Sequence, residues 1–212
     1  MIAAGSLPFR LRHRFARVVR DLRYRYFDNF IFIHINKTGG SSIEKALNLP
    51  FEHITALEKI RDLGRGKWDS KYSFTVVRNP WDKVVSQYHF RLQTNQTELG
   101  TTPIEFGAWV RLTYGDKDPA YYDDSKMFMP QSDWITNRHG QLLVDYVCRF
   151  ENLNNDFRHV CGVLGKTVEL RHFKSSKRGS YRDYFDEETI GIVSRWFKKD
   201  IENFQYHFTA VP

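Results

Sequence analysis

The sequence predicts an α/β fold, a parallel sheet flanked by helices, and three observations carry that prediction. Apolar, β-branched runs at residues 29–35, 72–77 and 142–149 alternate with segments of helical period. The first run leads directly into Asn36-Lys37-Thr38-Gly39-Gly40-Ser41-Ser42, a small-residue loop that opens a helix. The second ends on Arg78-Asn79-Pro80, where Asn79 can cap and Pro80 can begin the next helix. In a parallel sheet, ligands bind beyond the carboxyl ends of the strands, so the loops after Ile35, Val77 and Arg149 are expected along one edge.

The elements follow in order. Leu11, Phe15, Val18, Val19, Leu22 and Tyr26 recur at helical spacing within residues 9–27, with Arg10, Arg14, Arg17, Arg20 and Arg23 on other faces. Two readings stay open for this basic helix: its apolar stripe packs on the domain, or it lies on a membrane surface. Residues 29–35 are near-continuously apolar, as a strand covered on both faces requires. A helix-like segment at 43–49 and a short helix at 56–63 follow, the latter broken at Gly64 to Gly66. After the 72–77 strand comes a helix at 81–92, then a polar, turn-rich loop at 93–103. A helix is expected at 106–112 and irregular chain at 114–129. The third strand leads to a helix at 154–164 that stops at Gly165. A basic loop at 173–183 and one amphipathic helix at 187–204 complete the chain. The expected organisation is an N-terminal helix, residues 1–28, and one domain, residues 29–212.

The chain has 212 residues, 41% of them hydrophobic, and a net charge of +7. That charge favours anionic partners such as nucleotides, acidic glycans or a membrane surface. Nucleic acid is not expected, because the arginine-rich helix matches no nucleic-acid-binding module. No apolar run reaches the ~18 residues of a membrane span, and residues 1–5 are too short for a signal-peptide core. Cys148 and Cys161 have neither metal-like nor redox-like spacing, and are expected as reduced core residues of a cytosolic protein.

The two strand-end loops are chemically alike. Backbone N–H groups of a tight loop and a helix start attract phosphate, and Lys37 adds a point charge. The lysine precedes the glycines, so the order glycine, four residues, Gly-Lys-Ser/Thr of a P-loop is absent; so is a G-x-G-x-x-G dinucleotide site. Arg78 can grip a phosphate bidentately, and Ser86 lies farther along the following helix. Lys37 and Arg78 are 41 positions apart, which suggests one ligand carrying two separate phosphate groups. Lys174, Lys177 and Arg178, with Gly179, form a further basic cluster that can close over it.

His34 to Ser42 resembles the 5′-phosphosulfate loop of sulfotransferases, and Phe74 to Tyr88 resembles their 3′-phosphate strand-loop-helix. The stretches His53 to Ala56, Pro130 to Trp134, Arg149 to Leu153, Tyr181 to Phe185 and Asp200 to Tyr206 are also similar. Together they resemble the sulfotransferase family that includes carbohydrate sulfotransferases, over residues 29–207. The resemblance implies a P-loop-like three-layer α/β fold, 3′-phosphoadenosine 5′-phosphosulfate (PAPS) as donor, no metal, and a carbohydrate or glycan-like acceptor. It also implies that Lys37, Thr38, Gly39, Gly40, Ser41 and Ser42 hold the 5′-phosphosulfate and that Arg78 and Ser86 hold the 3′-phosphate. Lys177, Arg178 and Gly179 resemble a ribose- or adenine-side loop more weakly.

Lys37 is the candidate for stabilising the leaving phosphate. His53 is the candidate base, against a packing role; a neutral histidine suits proton abstraction at pH 7. His34 and His89 read as structural histidines, and Glu151 as an ion-pair or capping residue. Gln131 and Trp134 either shape the acceptor site or pack. The competing functions are a P-loop-type nucleotide or small-molecule kinase and a non-catalytic module that binds anionic glycans or nucleotides. The expected location is cytoplasmic, with attachment to the inner membrane surface left open.

Overall fold

A computed structural model of the chain describes residues 9–170 and 179–208. The chain forms two compact units. The first holds the chain up to Ile35, Gly39–Val76 and the stretch from Ile135; the second holds Asn36–Thr38, Val77–Trp134 and the C-terminal part.

The first unit contains the sheet, in the order β1 (Phe30–Ile33), β2 (Tyr72–Val77), β3 (Tyr146–Arg149). β1 and β2 run parallel, with Phe30 opposite Tyr72 and Ile33 opposite Thr75. Their carboxyl ends therefore lie on one side of the sheet. Phe30, Ile31, Phe32 and Ile33 are all buried, the two-sided burial that the apolar run predicts. The Thr75 hydroxyl donates to the Ile33 carbonyl at 2.8 Å, and Ser73 Oγ donates to Asp145 at 2.7 Å, which ties down polar groups inside the sheet.

Around the sheet stand α1 (Phe9–Tyr26), α2 (Gly40–Ala46), α3 (Ala56–Leu63), α4 (Arg65–Asp69) and, later in the chain, α9 (Leu153–Leu164). α3 begins with a capping box between Thr55 and Glu58 and ends at Gly64, whose φ of 86° stops the helix before α4 resumes. α9 ends where predicted, at Gly165 with φ 64°. Cys148 and Cys161 are buried and not joined to each other.

Of the two facings open for α1, packing of the apolar stripe on the domain is not the one found: Phe15, Val18, Leu22 and Tyr26 are exposed, while Arg20 points inward. Arg20 is fully buried; Nη1 donates to Glu44 (2.5 Å) and to the Pro50 carbonyl (2.8 Å), and Nη2 to the Phe32 carbonyl (2.8 Å). Buried Lys59 joins Asp21 and Glu52, and Arg17 pairs with Asp62. Burial raises the Glu52 carboxyl, against the lowering effect of Lys59 and Arg20. The apolar period marks two faces but not which of them meets the domain; here carboxylates on the domain side claim the basic face.

The second unit is helical: α5 (Pro80–Gln93), α6 (Phe106–Val110), α7 (Ser125–Phe128), α8 (Gln131–Ile135, whose last residue falls in the first unit), α10 (Glu187–Trp196) and α11 (Lys198–Phe204). α6 runs into a π-turn at Arg111–Gly115. Trp109 and Phe128 each meet Tyr114 edge to face, and Phe106 meets Trp109 at a tilt, which makes an aromatic core. The single helix expected at 187–204 is two, because Phe197 (φ −100°, ψ 24°) turns the chain. No described helix is long and apolar enough to cross a membrane.

Candidate active site

The loop after β1 is built so that little else fits. Lys37 has φ 64° and Gly39 φ 85°, both left-handed, and Gly39 caps α2. A side chain on Gly40 would stand 2.1 Å from the His34 ring. One on Gly39 would press on Phe150 and Leu153 at 3.0–3.1 Å. The backbone therefore approaches its surroundings closely, and the Ser42 N–H donates to the Gly39 carbonyl at 3.0 Å. Thr38 is buried, Ser42 is half-buried and Ser41 is exposed.

His34 lies in the strand-to-loop connection, with Nδ1 3.0 Å from Glu44 on α2. Glu44 in turn receives Arg20, so α1 braces the helix that the loop opens. The His53 ring stands 4.2 Å from that of His34, and its Nδ1 is 2.8 Å from the His34 carbonyl oxygen. A carbonyl only accepts, so Nδ1 carries the hydrogen and the neutral ring has its lone pair on Nε2. That is the tautomer a base requires.

In the second unit, Arg78 joins the two strand-end loops. Its Nη1 donates to the Lys37 carbonyl at 3.1 Å. Nε and Nη2 both reach Asp82, one helical turn on, at 2.8 and 2.7 Å. Asn79 accepts from the N–H groups of Trp81 and Asp82, and Pro80 occupies the first turn of α5, as the sequence predicts. Asp82, Ser86 and Phe90 follow at four-residue intervals and share a face of α5. The Lys37 ammonium stands 4.0 Å from the Phe90 ring centre. Lys37, Arg78 and the Ser86 face are thereby brought together.

Gln131 does not shape an acceptor pocket. It is fully buried, accepts from the Arg78 N–H and donates to the Arg78 carbonyl, each at 2.8 Å. Asp200, also fully buried, accepts from the Gln131 and Ser132 N–H groups at 2.8 and 2.7 Å. Burial raises the Asp200 carboxyl while these hydrogen bonds lower it. Trp134 is fully buried too. Lys83, on α5, is fully buried, and its ammonium has no hydrogen-bond partner among the described residues; the Phe197 ring centre lies 5.5 Å away. Burial pushes Lys83 down to about 8; Asp200 favours its charged form, and Lys37 and Arg78 oppose it.

Gly179 is exposed, just ahead of Tyr181, whose hydroxyl is 3.5 Å from Asn79 Nδ2. Lys174, Lys177 and Arg178 lie outside the described residues. His89 meets the Tyr184 hydroxyl at 2.8 Å, a packing role.

The sequence reading missed Asp82, Lys83 and the Gln131–Asp200 clamp. Asp82 was visible in principle as an i,i+4 partner of Arg78. Lys83 looks like any helix cation. Asp200 is 69 positions from Gln131, and nothing local links them.

Most of the chain matches the model of a known family. The model described as "Sulfotransferase family" matches residues 20–207. Mouse sulfotransferase SULT7A1 complexed with PAP aligns with 86% of this chain and 89% of its own, at 14% identity and a TM-score of 0.50. That likeness bears on the fold. A sulfotransferase from Alicyclobacillus acidocaldarius aligns with 85% of this chain and 97% of its own, at 14% identity and a TM-score of 0.48. No curated protein sequence matches significantly.

Proposed function

The chain belongs to the sulfotransferase family, and on that premise we propose that it moves a sulfuryl group from PAPS to a hydroxyl of a carbohydrate or glycan-like acceptor. The observation that carries the donor assignment is the Arg78 contact with the Lys37 carbonyl, which couples two anion-binding loops. A ligand with phosphate groups at both the 5′ and 3′ positions of one nucleoside suits that coupling. The cation cluster supports it: the charges of Lys37 and Arg78 act against that of Lys83, and among the described residues the Lys83 ammonium is buried without a hydrogen bond. The PAP-bound mouse structure shares the fold and supports the same nucleotide.

In this reading the N–H groups of residues 38–42 hold the 5′-phosphosulfate, and Lys37 neutralises charge that builds on the bridging oxygen. Arg78 and Ser86 hold the 3′-phosphate, and the segment at Lys177, Arg178 and Gly179 covers the nucleoside. His53 Nε2 takes the proton of the acceptor hydroxyl. A bond forms between the acceptor oxygen and sulfur while the bond from sulfur to the bridging phosphate oxygen breaks. The electron pair leaves with the nucleotide. Such an in-line transfer through a loose transition state relies on positioning and charge, and requires no metal. The resemblance to carbohydrate sulfotransferases and the +7 charge support an acidic glycan acceptor; the two buried, unjoined cysteines support a cytoplasmic enzyme.

The test is calorimetric titration with 3′-phosphoadenosine 5′-phosphate, with ADP and magnesium–ATP as controls. Selective binding of the bisphosphate is expected, weakened about a hundredfold in Arg78→Ala, because the variant loses both a charged contact and the bridge from Arg78 to the Lys37 carbonyl, even though Asp82 holds the Nε–Nη2 edge of the guanidinium. Preference for magnesium–ATP would refute the donor assignment in favour of the kinase reading. Lys37→Ala is expected to abolish transfer while leaving the fold intact. Binding of the bisphosphate without any transfer to glycan acceptors would instead favour the non-catalytic module.

A further inference from the structure

α1 is amphipathic in the opposite sense from a helix that merely covers a core. Phe15, Val18, Leu22 and Tyr26 recur three or four residues apart on its outward face, and Phe27 follows at its end. All five are between 48% and 81% exposed. Single exposed apolar residues are ordinary, but a helical stripe of them with two large aromatics at its end marks an interaction surface.

The charges around the stripe say what covers it. Asp21 is taken by Lys59, and Asp28 by Arg23, so neither offers free negative charge to a partner. Arg17 and Arg20 are likewise matched to Asp62, Glu44 and Glu52. Arg25 donates to the carbonyl of Asp62 rather than to a carboxylate. Arg14 is exposed next to Phe15, and Arg61 on α3, whose side chain is 72% exposed, shares the single carboxylate of Asp62 with Arg17. The neighbourhood of the stripe is thus apolar with unbalanced positive charge. A second copy of this chain would meet the stripe with the same cations, whereas a layer of anionic headgroups complements them. The helix is also too polar to cross a bilayer, so its geometry suits lying in the interface plane with the apolar side chains below headgroup level.

We propose that the outward face of α1 is a membrane-docking surface for an anionic phospholipid bilayer. Docking there orients the first unit through a helix whose Arg20 holds Glu44 of the phosphate-loop helix. The surface acts independently of the nucleotide, so it stands or falls apart from the assigned reaction.

The experiment is flotation of the full chain, without nucleotide, on vesicles of phosphatidylcholine alone or of phosphatidylcholine with phosphatidylglycerol at about three to one. The chain is expected to float with the anionic vesicles and to bind neutral ones about fivefold less for each arginine at the surface. Phe15→Ser, Leu22→Ser and Tyr26→Ser combined are expected to reduce binding by about tenfold or more, with unchanged circular dichroism, because apolar burial is lost. A second readout does not depend on that variant folding. Both native cysteines are buried, so Leu22→Cys can be labelled selectively with an environment-sensitive fluorophore, whose emission is expected to shift to the blue on anionic vesicles. No flotation, or flotation without a shift at residue 22, would overturn the proposal. So would a dimer in sedimentation equilibrium that the triple variant converts to monomer while vesicle binding is absent; the face would then belong to a second copy.

Discussion

Replacing Lys83 by methionine isolates the cost of a buried ammonium. The side chain is fully buried, its Nζ has no hydrogen-bond partner among the described residues, and burial lowers it from 10.5 to about 8. Below pH 8 the folded protein must hold a charge that the unfolded chain solvates freely. A shift of that size corresponds to about 3 kcal/mol against folding. The direction of the pH dependence follows. Between pH 8 and 10.5 the unfolded chain binds more protons than the folded one, so stability contributed at this position rises with pH. Methionine fills similar volume without the charge. Lys83→Met is therefore expected to be more stable than the native chain by about 3 kcal/mol at pH 7, and by roughly half as much at pH 9.5. Urea unfolding of both proteins at the two pH values measures this, since contributions from other groups cancel in the difference. An equal gap at both pH values, or a methionine variant less stable at pH 7, would refute the reasoning. The same variant is expected to bind 3′-phosphoadenosine 5′-phosphate more weakly, because the cation cluster loses one member.

Three further predictions rest on separate contacts. Gly40→Ala places a methyl group 2.1 Å from the His34 ring, and is expected to destabilise by about 1–3 kcal/mol, read as a lower thermal midpoint. His53→Ala is expected to lower kcat by about 10²- to 10⁴-fold with donor affinity nearly unchanged; unaltered turnover would remove His53 as the base. Asp200→Ala leaves the N–H groups of Gln131 and Ser132 without their buried acceptor and is expected to cost about 3 kcal/mol. Nucleotide affinity should fall with it, because Gln131 clamps the Arg78 backbone.

By itself the sequence determined what depends on neighbouring residues. The apolar runs at 30–33 and 72–77 form parallel strands because β-branched residues with no polar face suit two-sided burial. Asn79 and Pro80 start α5, and Gly165 ends α9, because caps and positive φ are local chemistry. The loop from Lys37 to Ser42 was legible for the same reason: glycines between strand and helix permit the left-handed tight turn seen at Gly39. What the tertiary structure decided is which of two possible partners each polar group takes. Arg20 could have faced water, but Glu44 and Glu52 stand beneath α1 and hold it inward, which leaves Phe15 and Leu22 outside. Gln131 could have lined a pocket, yet Asp200 and the Arg78 backbone claim both ends of its amide. Buried polar groups must be satisfied by whatever the fold brings near, and that neighbour is set by packing between distant segments rather than by spacing along the chain.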